Sequence, residues 1–122
     1  MKTIQRFLAM FVLIALFSLT FASPALAFDG RAGDKIVIGA DEVINDDLYV
    51  TAEEFTLDGT IKGDLVVFGA YVFINGTVEG DLIAAGNTIV IDGTVKDDAR
   101  IAGAALQLGD KASIGGDLIS AG

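Results

Sequence analysis

The chain has 122 residues, with 17 acidic and 8 basic side chains and a net charge of −9 at pH 7. It contains neither histidine nor cysteine. This composition excludes disulfides, a Ser-His-Asp triad, a cysteine nucleophile and nearly all zinc, iron and copper sites. The acidic excess argues against binding nucleic acid or an anionic membrane surface through charge. No motif predicts an enzyme, and we expect no cofactor.

The first 27 residues have the pattern of a secretory signal peptide. Lys2 and Arg6 precede an almost wholly apolar stretch, residues 7–21. A small-x-small cleavage motif ends at Ala27. An uncleaved membrane anchor is the alternative, although about 15 apolar residues are short for a span. Cleavage would leave an exported, extracytoplasmic or cell-envelope chain that starts at Phe28. Its net charge would be −11, because both basic residues are lost.

Residues 28–34 are expected to form a short segment before a repeat domain at 35–122. From Ile44 onward the sequence repeats every 17 residues. Full units begin at Ile44, Ile61, Val78 and Val95, and a partial unit begins at Ile114 after an insertion, Ala112-Ser113. The segment 36–39 matches part of a preceding unit. A short fixed period is the signature of a stacked solenoid.

Apolar residues recur at positions 1, 5, 7, 12 and 14 of the unit, where position 1 is Ile44. The spacing of two within each pair is the strand period. Glycine at position 9 and Asp-Gly or Asn-Gly at positions 15 and 16 separate the strands. A β-meander is one alternative, because such turns suit hairpins. The strict period favours a single parallel β-helix of about five coils, in which equivalent residues stack about 4.8 Å apart.

Two polar ladders accompany the apolar ones. Aspartate occupies position 4 of every unit: Asp47, Asp64, Asp81, Asp98 and Asp117. The favoured interpretation is that each carboxylate accepts hydrogen bonds from backbone N–H groups at a corner of the coil. The alternative is a weak calcium site, since hard oxygen ligands suit Ca²⁺. Threonines at position 17 predict hydroxyls that bond along the stack: Thr60, Thr77 and Thr94.

Positions 6, 8, 11 and 13 alternate with the core and are predicted to point outward. In the second and third units they form an exposed apolar set: Val66, Phe68, Tyr71, Phe73, Ile83 and Val90. A contiguous patch of this size indicates contact with a partner, unless loops or the N-terminal segment cover it.

The repeat stops part-way through a unit, at Gly122, without a capping helix. An open coil end presents unpaired strand edges and bare core. Either this end pairs with another copy, or the chain is part of a longer protein. Self-assembly through the coil ends would use Ile114 and Leu118 at one end, and Ile36 and Ile38 at the other.

The stretch from Ile61 to Val95, IKGDLVVFGAYVFINGTVEGDLIAAGNTIVIDGTV, combines I/V-x-G-D-L with a turn and V-x-I-D/N-G-T. This motif resembles the bactofilins, the polymer-forming cytoskeletal family of bacteria, over roughly residues 35–122. The resemblance implies a right-handed parallel β-helix that joins end to end into non-polar filaments without nucleotide. Bactofilins proper are cytoplasmic, whereas this chain carries an export signal. It therefore looks more like exported relatives, in which membrane helices can follow the repeats.

These observations predict an exported, self-assembling structural or scaffold protein of the cell envelope, present as a homo-oligomer or filament. A cell-envelope protein or polymer is a further possible partner. Membrane contact is expected only through the signal segment or a missing C-terminal region. The alternative is an extracellular binding module that holds carbohydrate or a cell-wall polymer on a β-helix face.

Overall fold

The computed structural model describes residues 2–21 and 28–122. The first range is a helix, α1 (Lys2–Phe21). Its side chains from position 4 to position 14 are exposed. Within the described ranges, no helix has the length and apolar character needed to cross a membrane. The predicted cleavage motif ending at Ala27 lies outside the described residues.

The second range is a stack of parallel coils, each built from one long and one short strand. The long strands are β1 (Phe28–Ile38), β3 (Asp47–Leu57), β5 (Leu65–Ile74), β7 (Leu82–Ile91), β9 (Ala99–Leu108) and β11 (Leu118–Ala121). The short strands are β2 (Val43–Ile44), β4 (Thr60–Ile61), β6 (Thr77–Val78), β8 (Thr94–Val95) and β10 (Ser113–Ile114). The long strands form a six-stranded sheet in chain order, and the short strands form a five-stranded one.

The register of the strands confirms the predicted parallel β-helix. Leu48 pairs with Leu65 and Leu65 with Leu82, so each residue lies beside its equivalent 17 positions along the chain. Within each of the two sheets, every pair of neighbouring strands is parallel. A β-meander would need antiparallel neighbours and is therefore excluded.

The apolar ladders fill the centre of the coils. In β5, Leu65, Val67, Val72 and Ile74 are fully buried. The inward positions change from odd to even between Val67 and Val72, so the strand must bend at its middle, around Gly69. Positions 6 and 8 therefore point out from one side of this bend, and positions 11 and 13 from the other. We call these two surfaces the first and second outer faces.

The Asn-Gly and Asp-Gly pairs close corners of the coil and do not reverse the chain. The backbone N–H groups of Asn75 and Gly76 both donate to the Leu57 carbonyl in the coil before, each at 2.8 Å. A Cβ added to Gly76 would collide with the carbonyl oxygen of Gly59, the equivalent glycine of that coil. Glycine is required here because one backbone passes directly over the next.

Two boundaries differ from the sequence-based expectation. The stack begins at Phe28, which pairs with Asp47, so residues 28–34 belong to the first coil. Ser113 pairs with Thr94 and occupies position 17, so the insertion is not Ala112-Ser113. The additional residues form a turn at 110–111, which the Ala112 N–H closes by donating to the Gly109 carbonyl at 3.1 Å.

Replacing Ile74 with Asp should unfold the stack, because it buries a carboxylate without a partner between Leu57 and Ile91. We expect a loss of more than about 4 kcal/mol in the free energy of unfolding. Tyr71→Asp on the same strand is the matched control, since Tyr71 is 48% exposed, and it should cost about 1 kcal/mol or less. Chemical denaturation followed by circular dichroism measures both. Similar midpoints for the two variants would contradict the placement of Ile74 in the core.

Candidate functional site

The aspartates at position 4 form a continuous hydrogen-bonded ladder along one corner. The Asp64 backbone nitrogen lies 2.7 Å from the Asp47 Oδ1, and the Asp81 nitrogen lies 2.7 Å from the Asp64 Oδ1. The same bond joins Asp98 to Asp81 at 2.9 Å and Asp117 to Asp98 at 2.8 Å. Each carboxylate from Asp47 to Asp98 thus accepts a backbone N–H of the next coil, which confirms the predicted structural role of these four residues.

The calcium interpretation gains no support from this geometry. One oxygen of each carboxylate from Asp47 to Asp98 is already used by a backbone N–H group. Among residues 2–21 and 28–122, no group of three or more acidic side chains is arranged to hold a metal ion. The hydrogen bonds of the ladder link successive coils, although they also hold like charges close together.

The threonine ladder is held together by its backbone. The Thr60 N–H donates to the Glu42 carbonyl at 3.0 Å, and the Thr77 N–H donates to the Gly59 carbonyl at 3.0 Å. Thr94 repeats the bond to Gly76 at 2.9 Å. In the part of the chain that the structure describes, no hydrogen bond joins the hydroxyls of these threonines. The expectation of hydroxyl bonds along the stack was wrong; the bonds that join these threonines to the coil before come from their backbone N–H groups.

The predicted apolar set is divided between the two outer faces. Phe68 is 50% exposed and Ile83 is 37% exposed on the first face, where Val66 is half-buried. Tyr71 is exposed on the second face, together with half-buried Phe73 and Val90. The bend near Gly69 separates the two groups, so the six residues do not form one flat patch.

A recess lies on the first outer face beside β1, with a volume of about 270 Å³. Gly30 and Ala32 pair with Tyr49 and Thr51 of the next coil. Gly30 has no side chain and Ala32 has only a methyl group, so they fill less of this face than the two residues beside them. Phe68 borders the recess from the coil beyond. Its lining consists of Gly30, Arg31, Ala32, Tyr49, Val50, Thr51, Val66 and Phe68. The sequence-based prediction missed it because residues 28–34 were not assigned to a coil.

Three charged side chains meet at the β1 end of the core, and we call them the Arg31 cluster. The Arg31 Nη2 lies 3.2 Å from the Asp29 Oδ2, and the Arg31 Nη1 lies 3.2 Å from the Glu42 Oε2. Partial burial would by itself lower the pKa of Arg31. The hydrogen bonds and charges of Asp29 and Glu42 outweigh that effect, so the pKa is raised above its ordinary value. Arg31 is therefore charged at any physiological pH.

The residues predicted to serve self-assembly differ in accessibility. Ile38 is fully buried, and Ile36 and Ile114 are partly buried against the core. Leu118 is 40% exposed at the β11 end of the described stack. Of the four, Leu118 offers the most side-chain surface to a partner, whereas Ile38 can act only by supporting the coil from within.

The described residues thus present two outer faces, a recess, and two ends of different character. No family model matches the chain, and neither a curated protein nor a solved structure matches it. Function must therefore be inferred from these surfaces themselves.

Replacing Asp64 with Ala should destabilise the stack by about 1–2 kcal/mol, because the Asp81 N–H loses its charged acceptor. Asp64→Asn keeps the Oδ1 acceptor and removes one of the stacked charges, so it should cost clearly less. Thermal unfolding of both variants, with and without Ca²⁺, measures the difference. If Ca²⁺ raised the melting temperature of the unsubstituted protein but not that of Asp64→Asn, the ladder would be a metal site after all.

Proposed function

We propose that this chain is an exported structural module of the cell envelope that assembles with further copies of itself through the ends of its coil stack. The observation that carries the proposal is the exposure of apolar ladder residues in the last described layer. Its ladder residues Leu108 and Leu118 are 48% and 40% exposed, although their equivalents in the inner coils are fully buried. A further coil would cover them, and we propose that a second copy supplies it.

The backbone favours such docking. Parallel strands in a constant register present N–H and C=O groups at regular intervals along the free edge of a sheet. The edge of β9 beyond Ala102 has no partner strand among residues 28–122, because β11 pairs only with residues 99–102. A strand from another copy can add to this edge with little rearrangement, as in β-augmentation.

The charge of the chain opposes assembly and thereby makes it dependent on salt. Without Lys2 and Arg6 the net charge is −11. Copies of the protein therefore repel one another, and added salt screens that repulsion. Burial of apolar side chains such as Leu118 supplies the attraction.

Two features of the sequence support the remainder of the proposal. The basic start and apolar stretch before Ala27 support export, and the similarity of Ile61–Val95 to the bactofilin motif supports a polymer-forming role. The resemblance is to a family that assembles without nucleotide. In keeping with this, we propose a scaffold with no catalytic activity.

Protein recovered outside the cytoplasm should begin at Phe28. Copies of this protein should associate more strongly as the salt concentration increases. Leu118→Asp should weaken association on the order of tenfold or more, since it places a charge on the docking layer. Ile119→Asp is the matched control, because the neighbouring side chain belongs to the first outer face and not to the core column. Sedimentation velocity across salt concentrations compares the three proteins. A protein that stays monomeric at high concentration and high salt would refute assembly, and an N-terminus at Met1 would refute cleavage.

The recess on the first outer face favours a second candidate function, the binding of a neutral saccharide of the cell envelope. Tyr49 and Phe68 supply aromatic rings for the apolar face of a sugar, and Thr51 supplies a hydroxyl for hydrogen bonding. The volume of about 270 Å³ suits a ligand of roughly one ring, which could be one unit of a longer polymer.

If this second function holds, Phe68→Ala should abolish or weaken the binding of soluble cell-wall oligosaccharides. Tyr71→Ala is the control, because it removes a similarly exposed aromatic side chain from the second outer face. Titration calorimetry with neutral oligosaccharides measures both variants. Equal binding by the two variants, or no binding by the unsubstituted protein, would exclude the recess as a sugar site.

A further inference from the structure

The first and last described layers end the core with different chemistry. In β3, positions 5 and 7 are Leu48 and Val50, which point into the core. The residues of β1 that pair with them are Asp29 and Arg31. Two charged side chains therefore occupy the apolar ladders at this end.

The Arg31 cluster holds these charges together without removing them from water. Arg31 bridges Asp29 and Glu42 at 3.2 Å each, and Glu42 comes from the corner between β1 and β2. The exposed fractions of the three side chains are 32%, 39% and 43% for Arg31, Asp29 and Glu42. The cluster covers the end of the apolar column and keeps its own contact with solvent.

We propose that the Arg31 cluster closes the β1 end of the stack to the addition of another coil. A coil docked on β1 would strip water from all three charges, and this desolvation is costly even for paired ions. Inward-pointing charges and lysines are among the ways in which edge strands are protected from pairing.

This inference narrows the proposed function, because self-assembly would then use the β9–β11 end alone, and it rests on the proposed function only in that respect. The ladder residues Leu108 and Leu118 are exposed at the β9–β11 end. A second copy should therefore meet this end and not β1. The non-polar filaments implied by the bactofilin resemblance need contacts at both ends, whereas a closed β1 end favours pairs.

The test is to open the β1 end by restoring the ladder residues. The double variant Asp29→Leu/Arg31→Val places on β1 the side-chain types found at Leu48 and Val50. The matched control, Asp34→Leu/Lys35→Val, removes one acid and one base and adds the same two residues to the same strand. Its second substitution is on the second outer face, since Lys35 pairs with Glu54 at position 11. Both variants are purified from cells that express the full chain.

We expect the ladder variant to associate on the order of tenfold more tightly than either the unsubstituted protein or the control in sedimentation equilibrium. A folded ladder variant with unchanged association would overturn the inference. If the unsubstituted protein is monomeric but the ladder variant associates, the proposed function fails and the closed end stands. If the unsubstituted protein assembles and the ladder variant associates no more tightly, the proposed function stands and the closed β1 end is refuted.

Cysteine trapping provides a second measurement that does not depend on the folding of the ladder variant. The chain has no cysteine of its own, so Lys35→Cys and Ala121→Cys each introduce a single thiol, on β1 and β11 respectively. Under oxidation at a protein concentration that supports assembly, Ala121→Cys should form disulfide-linked dimers well before Lys35→Cys. Faster cross-linking through Lys35→Cys would show that copies meet at the β1 end and would overturn the inference.

Discussion

Parallel stacking in a constant 17-residue register is the constraint on which the rest of this structure depends. It makes each residue a neighbour of its own equivalents, as with Val72 between Phe55 and Ile89. A residue type is acceptable at a position only if it can lie directly above and below something similar. Leucine, isoleucine and valine satisfy this in the centre by burying one another. Glycine satisfies it at the corner of Gly59, Gly76 and Gly93, where only a bare backbone fits.

The same constraint places like charges next to one another in adjacent coils. The surface shows two ways in which this repulsion is reduced. At position 4 the aspartates would repel one another, but each carboxylate from Asp47 to Asp98 accepts a backbone N–H of the next coil. At position 2 the charge alternates, and the Lys96 Nζ lies 3.1 Å from the Glu79 Oε1. An acidic chain can therefore form an ordered stack, while its net charge still limits contact between copies.

The central coils could be predicted from sequence because their signal is repeated and apolar. Leu65, Val67, Val72 and Ile74 were assigned inward by spacing alone, and all are fully buried. The first half of the first coil, residues 28–34, was missed because Asp29 and Arg31 replace the two apolar residues that would have marked it. Gly33 was an available clue, since it pairs with Ala52 at position 9, where later coils have glycine. The split of the apolar set between two faces depends on the strand bend, which a list of outward positions does not contain.

The ends of a solenoid determine its behaviour, because a terminal layer has a neighbour on one side only. An apolar pair at positions 5 and 7 of β1 would add apolar burial against β3, yet would leave a surface open to any matching strand. Charges at these positions forgo that stabilisation, and the layer is held instead by its pairing with β3 over residues 28–33 and 35–38. A protein that stacks its own coils so regularly needs some means of distinguishing its own next layer from that of another copy. The Arg31 cluster provides such a distinction at one end. Its charges are stable while they contact water, but a second stack docked on β1 would remove that water at a high cost in free energy.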